Sequence, residues 1–426
     1  MWIIIFRSCR RCCKPNSGHL PNEFVALTVM KLGLEVLLED KAALQHLKES
    51  RVGLVAHPAS VLPDLNHTVD ILKQKGVKLT CLFGPQHGIR GEKQDNMIES
   101  DDFTDPKLGI PAFSLYGKVR RPTAEMLEHF DILVFDLQDV GCRIYTFLTT
   151  LFYLIEDLAG TGKAIWVLDR PNPAGRPVEG NILLKDFHSF VGGGAVPMRH
   201  GMTLGEAALW FVRSGGFDTE VKVFSMQDYR LDKVHQWGWP DSLPWVNPSP
   251  NLPTLSGCRV YPGSVLIEGT HLSEGRGTTR PLEVIGAPML DPEQLIAGVQ
   301  NQFGEWTKGA LLRPCYFEPT FHKFKGELCA GVQIHTDNCC YEEEDFQPYR
   351  LICAFFNVIH QLYPDFTIFK NPPYEYEEKL LPIEILSGSS FLKNWVDNAG
   401  SAKDLDSYLM QDEMRWKEER REFLLY

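Results

Sequence analysis

The sequence predicts an α/β fold: a largely parallel, Rossmann-like sheet domain followed by a second, smaller α/β auxiliary domain. Three observations carry this. Short apolar runs alternate with stretches of helical spacing through the first half, as strands and crossover helices do in parallel sheets. Four of those runs stop abruptly in polar clusters containing Gly or Pro. Val52–Ala56 meets His57-Pro58, Val77–Phe83 meets Gly84-Pro85-Gln86-His87-Gly88, Ile132–Phe135 meets Asp136–Gly141, and Ile165–Leu168 meets Asp169-Arg170-Pro171-Asn172-Pro173. Finally, 426 residues exceed what one ordinary core holds. Ligands of open α/β sheets bind beyond the carboxyl ends of the strands, so the four clusters point to one composite site.

Residues 1–29 are expected to be disordered or a misassigned start. Met1–Phe6 is apolar but short, and Arg7, Arg10 and Arg11 follow it, whereas a signal peptide places its charge first and has a longer apolar core. A cytoplasmic protein is expected, with a short, atypical export signal as the alternative.

From Met30 the elements follow in order. Asp40–Glu49 has helical spacing and 52–56 is a strand. Asn66 is placed to cap a helix that carries Val69 and Leu72 on one face and ends at Gly76. Residues 77–83 form the next strand and Pro111–Leu115 a short one. Thr123 caps a helix to Glu128 or His129; 132–135 is a strand, 145–159 a helix and 164–168 a strand. Thr203 precedes the helix Leu204–Arg213, and Val221–Phe224 is a strand. Pro and Trp then crowd 235–265, which reads as a domain junction or a binding wall. The expected division is 30–240 and 241–426. Beyond it, Asp291–Phe303 and Tyr349–Leu362 read as helices, Leu311–Phe317 and Gly331–His335 as strands, and Leu405–Tyr426 as helical.

Composition excludes several classes. The apolar fraction of 44% and charged fraction of 23% are those of a soluble globular protein. A net charge of -12 argues against nucleic acid or an anionic membrane as the main partner. No apolar run is long enough to span a bilayer. Eleven cysteines, with one CxxC at Cys9–Cys12 and no second, fit a reduced compartment better than a disulfide framework or a zinc site. There is no Walker loop, GxGxxG, HExxH or GxSxG, so the reading calls for no cofactor and no metal. Oligomeric state is left open.

Five segments hold the candidate site. Gly84–Glu92 packs Gln86, His87, Arg90 and Glu92 among three glycines, which let backbone approach a ligand. A satisfied polar turn is the alternative. Asp136 and Asp139 are paired carboxylates near Arg143 and Tyr145. Asp136 follows the apolar run directly and suits a structural cap, which leaves Asp139 as the functional candidate. Asn172, between two prolines, is held rigidly enough to recognise an amide or hydroxyl, or is simply part of a rigid turn. His200 lies before a helix, where a histidine is more often a cap or core residue than a catalyst. Glu268–Pro281 gathers Glu268, Glu274, Arg276 and Arg280 among three glycines. A surface loop with Glu–Arg pairs explains those charges but not that glycine density.

Six segments together resemble one family: Phe83–Gly91, Phe135–Gly141, Leu168–Pro173, Arg199–Thr203, Pro248–Asn251 and Ser273–Pro281. In this order they are similar to the exo-β-N-acetylmuramidase family, formerly a domain of unknown function, and the resemblance runs from about Leu34 to Tyr426. It implies a Rossmann-like catalytic domain with an auxiliary domain, and release of terminal, non-reducing N-acetylmuramic acid from peptidoglycan fragments. The partner is then a small-molecule or oligosaccharide substrate. Arg90, Arg276 or Arg280 would hold its lactyl carboxylate and Asn172 or Asn251 its acetamido group. Gln86, His87 and His200 would add further contacts, and Trp237, Trp239 or Trp245 would stack on a sugar face. One position departs from the family pattern. The family turn carries Glu where this chain has Gln86, and glutamine moves no proton. Either another carboxylate serves, or the chain binds muramyl sugar without cutting it, or its substrate differs. Glu92 is the nearest replacement, with Glu274 or Asp139 as partner. Paired carboxyls in a glycosidase lie about 5–10 Å apart, unless the substrate's acetamido oxygen is the nucleophile and one acid/base suffices.

Overall fold

The computed structural model describes residues 30–91, 99–230, 238–375 and 377–426. Seven strands form the larger sheet: β1 (Val52–Ala56), β2 (Leu79–Gly84), β3 (Phe103–Thr104), β4 (Pro111–Ser114), β5 (Ile132–Asp136), β6 (Ala164–Leu168) and β7 (Glu220–Phe224). Their order is β3-β4-β2-β1-β5-β6-β7, and every pairing is parallel except β3 with β4. The chain winds outward from β1 to β4 on one side and from β5 to β7 on the other, so the order reverses between β1 and β5. β1, β5 and β6 are buried along their whole length, which is why they read as unbroken apolar runs.

The second half holds a three-stranded antiparallel sheet, order β8-β10-β9, from β8 (Val284–Ala287), β9 (Leu311–Phe317) and β10 (Cys329–His335). Helices Leu255–Ser264, Pro292–Phe303 and Pro348–Leu362 pack together beside it. At Gly263 a Cβ would stand 2.0 Å from the Pro348 carbonyl oxygen, so only glycine permits that helix contact. One continuous apolar core joins the halves, from Val55 and Phe135 through Tyr145 and Tyr261 to Ile352.

Some expected boundaries differ. The helix after β1 is Thr68–Gln74, and its cap is His67, whose Nδ1 accepts from the Val69 amide; the Asn66 side chain donates to Asp64 instead. Val77 closes that helix by donating to the Leu72 carbonyl, so β2 starts at Leu79. Where the Pro/Trp-rich stretch is described, Ser249, Leu252 and Tyr261 line a cavity, while its tryptophans pack into the protein. Trp239 is buried with Met30, Leu32, Met226 and Tyr229, and its Nε1 donates to the Leu243 carbonyl at 2.8 Å. Trp245 stacks edge-on against it and donates to the Leu252 carbonyl. Trp237 lies outside the described residues.

Candidate active site

The crevice between the β1 and β5 tips, where a parallel sheet usually opens a ligand site, is filled by the protein's own charges. Asp136 is fully buried and accepts from Arg170 Nε at 2.5 Å and Nη2 at 3.0 Å, and also from the Thr68 hydroxyl. Ser60 Oγ donates to the Asp136 carbonyl at 2.5 Å, and Arg170 Nη1 to the Val61 carbonyl at 2.9 Å. This network ties β1, β5 and β6 together. Asn172 does the same one layer out: its Oδ1 accepts from the Ala174 amide at 2.8 Å, and its Nδ2 donates to the carbonyls of Met202 at 3.0 Å and Gly175 at 3.2 Å. Gly141, at φ +74°, lies against it, and a Cβ there would fall 2.1 Å from Asn172 Oδ1. The Asn172 amide is thus committed to the loops.

The cavity lies over the β2 tip instead. Gln86 and His87 form one wall, Ile144 and Tyr145 a second, and the other half of the chain supplies Tyr261, Glu268, Arg276, Tyr374 and Glu375. Thr146 Oγ1 donates to Gln86 Oε1 at 2.7 Å and so orients that amide. His87 has a φ of +72°, the left-handed region where a non-glycine residue is strained and where strain gathers at functional sites. The cavity is narrow, about 20 Å³, room for about one water. A larger cavity of about 480 Å³ lies on the far side of the same turn, lined by Gly88, Arg90, Asp101 and Asp102.

Charge in the narrow cavity is organised around Arg276. Its Nη2 donates to Glu268 Oε1 at 2.5 Å, and its Nε lies 3.3 Å from Glu274 Oε1. Its Nη1 has no hydrogen-bond partner, though the residue is only 6% exposed. Tyr374 OH donates to the second Glu268 oxygen at 2.9 Å. Glu274 stands behind this layer, fully buried, with Lys323 Nζ at 2.8 Å and His322 Nδ1 at 3.3 Å. Burial pushes the Glu274 carboxyl up, but Lys323, His322 and Arg276 outweigh it and hold it well below the usual carboxylate range. Burial draws Lys323 down to about 8, with Glu274 opposing.

The other expected residues are spread around this cavity. Glu92 lies outside the described residues. Asp139 is buried behind Tyr145; its Oδ2 accepts from the Gly141 amide at 2.7 Å and sits 3.8 Å from His200 Nε2, and neither Asp139 Oδ1 nor His200 Nε2 has a hydrogen-bond partner. His200 Nδ1 accepts from the Met202 amide, which puts the proton of a neutral ring on Nε2, toward Asp139. Asn251 is buried beside the cavity residues Ser249 and Leu252, its amide donating to Ser249 Oγ. Arg90 is exposed, over the Phe103 ring. Arg280 is half-exposed and pairs with Glu283 at 3.1 Å and Asp337 at 3.5 Å, in a separate surface hollow. So Gln86, His87 and Arg276 share one cavity, Glu274 meets Arg276 and Asn251 meets Ser249 at its edge, Asp139 and His200 face each other outside its lining, and Arg90, Arg280 and Asn172 do not line it.

Sequence reasoning missed Tyr374, Glu375 and Tyr116. Tyr116 OH donates to Glu375 Oε2 at 3.1 Å across 259 residues of sequence. A signal existed: Pro372-Pro373-Tyr374-Glu375 puts an aromatic and a carboxylate on a rigid turn. His57 was seen only as a strand-end residue. Burial, then His87 and His67, lower it to about 3, so it stays neutral at working pH. Among the described residues no group of three or more His, Cys, Asp or Glu could hold a metal ion, and no helix is long and apolar enough to cross a membrane.

Residues 52–256 match the family model for the N-terminal part of the exo-β-N-acetylmuramidase NamZ, and residues 259–426 match the model for its C-terminal part. The chain is 37% identical over 401 residues to the peptidoglycan β-N-acetylmuramidase NamZ of Bacillus subtilis, across 93% of this chain and 91% of that protein. It is also similar to crystal structures of two DUF1343 family proteins from Bacteroides fragilis. One has a TM-score of 0.79 at 29% identity, covering 93% of this chain and 99% of that one. The other has a TM-score of 0.70 at 28% identity, covering 94% and 99%.

Proposed function

The chain belongs to the exo-β-N-acetylmuramidase family, and we propose that the cavity over the β2 tip is where it takes the terminal sugar. As a member of that family it is an exo-acting glycoside hydrolase that releases N-acetylmuramic acid from the non-reducing end of peptidoglycan fragments.

One observation supports the substrate class at this cavity: the unpartnered Nη1 of buried Arg276. A lactyl carboxylate is the part of muramic acid that a guanidinium recognises best, through its forked donors. Glu268 and Glu274 hold that fork in place. Gln86 Nε2, oriented by Thr146, and His87 suit the acetamido group or ring hydroxyls. Tyr145, Tyr261 and Tyr374 supply the aromatic walls that the tryptophans were expected to supply. The narrowness of the cavity requires the Gln86–His87 turn and the Tyr374–Glu375 turn to part as the sugar enters. The unbridged cysteines among the described residues, Cys81, Cys142, Cys258 and Cys353 with them, fit a reducing compartment, and we place the enzyme in the cytoplasm.

The test is incubation of the purified chain with an N-acetylmuramyl–N-acetylglucosamine disaccharide and mass-spectrometric detection of free muramic acid sugar. Release of that monosaccharide is expected. Calorimetric binding without release over long incubation would instead identify a sugar-binding protein that has lost its acid.

A further inference from the structure

Gln86 leaves the proton transfer unassigned. We infer that Glu375, which lines the same cavity as Gln86, is the general acid/base of this site. The inference rests on the hydrolase reading above.

Position carries it. Glu375 is 6% exposed and lines the same narrow cavity as Gln86 and His87. Tyr116, whose hydroxyl donates to Glu375 Oε2, follows β4, and its amide donates to Ser114 Oγ at the end of that strand. β4 pairs with β2 through Gly84↔Ser114, and Gln86 stands two residues beyond Gly84. The Tyr116 contact therefore brings a carboxylate from the far half of the chain to the strand tip where Gln86 stands.

The backbone points the same way. Tyr374 and Glu377 exchange both amide–carbonyl hydrogen bonds, at 3.0 and 2.9 Å, around a tight turn. Glu375 takes φ +46° in it. Such turns favour Asn or Gly, and a glutamate there is held in strain of the kind found at active sites. The other carboxylate lining the cavity, Glu268, gives one oxygen to Arg276 and the other to Tyr374.

The step balances with water alone. Glu375 gives its proton to the glycosidic oxygen as the C1–O bond breaks. Water oxygen then bonds to C1 and returns a proton to the Glu375 carboxylate, which restores it.

The test compares Glu375→Gln with the wild type on two substrates: the muramyl disaccharide, and an aryl muramide whose leaving group needs no proton. The disaccharide rate should fall about 10²–10⁴-fold, the span of general acid catalysis, while the aryl substrate falls far less and loses its alkaline pH limb. Thermal unfolding checks that the fold survives, and Glu375→Ala with azide should recover aryl turnover. Wild-type rates in Glu375→Gln overturn the inference and leave the hydrolase reading intact. So does an equal loss on both substrates, or the leaving-group pattern appearing in Glu92→Gln and not in Glu375→Gln. A wild type that releases sugar from neither substrate sinks both.

Discussion

Replacing Glu274 with Gln separates an anchor from a catalyst. The substitution keeps the volume and removes the charge. Lys323 Nζ, which also donates to the carbonyls of Ile267 at 2.7 Å and Leu272 at 2.8 Å, would then have only neutral oxygens in place of its carboxylate, and Arg276 would lose one of its two carboxylates. Removing one partner of a buried pair destabilises by about 3–5 kcal/mol. The low end applies, because Lys323 already titrates at about 8. It can shed its proton at a further expense of about 1.4 kcal/mol per unit. With an unfolding entropy of about 2.1 cal/mol/K per residue over 426 residues, a loss of about 3 kcal/mol lowers Tm by about 3–4 °C. The deficit carries a pH signature. Between the variant's lower Lys323 pKa and about 8, the native wild type binds more protons than the native variant, so the gap narrows as pH rises through that window. Calorimetric scans from pH 6 to 9 measure this, alongside turnover of the muramyl disaccharide, which should fall less than tenfold. Unchanged Tm with abolished turnover would refute the reasoning and make Glu274 a group that meets substrate.

Three further outcomes follow from the same geometry. Arg276→Lys should weaken N-acetylmuramic acid binding about tenfold by calorimetry and leave N-acetylglucosamine, which lacks the lactyl group, unchanged; equal weakening of both would remove Arg276 from carboxylate recognition. Asp136→Asn leaves Arg170 buried without its counter-charge and should cost about 3–5 kcal/mol, read as a lower denaturant midpoint with unaltered KM. Burial, then Glu206, raises Asp169 to about 6. Its native carboxyl keeps a proton that the unfolded chain sheds near its ordinary value of 3.8. That contribution is present at low pH and lost as pH climbs from about 4 to 6, a change of about 3 kcal/mol. Asp169→Asn should abolish this slope in urea titrations; an identical slope in wild type and variant would contradict it.

The central strands of the large sheet were legible because they are buried on both faces and leave unbroken apolar runs, whereas the two-residue edge strand β3 was not. β8 was not, because Val284–Ala287 is four residues long and earns its place by pairing with β10, a contact no local pattern announces. The polar residues divide the same way. Arg90 and Arg276 both sit in glycine-rich loops rich in charge, and sequence offered no ground to prefer either. Burial decides between them: one lies on the surface, the other inside with two carboxylates around it.

Glu274 and Glu375 make the final contrast. Both are glutamates beside glycine or aromatic turns, and composition treats them alike. Glu274 meets Lys323, 49 residues on, and Arg276, and becomes a counter-charge behind the cavity. Glu375 meets a tyrosine hydroxyl 259 residues back and stands on the cavity wall. A carboxylate surrounded by cations is held ionised and cannot lend a proton. The chemistry of each residue is therefore written by partners far away in sequence. The strand tips mark where a site stands, and the opposite half of the chain determines which of its groups can act.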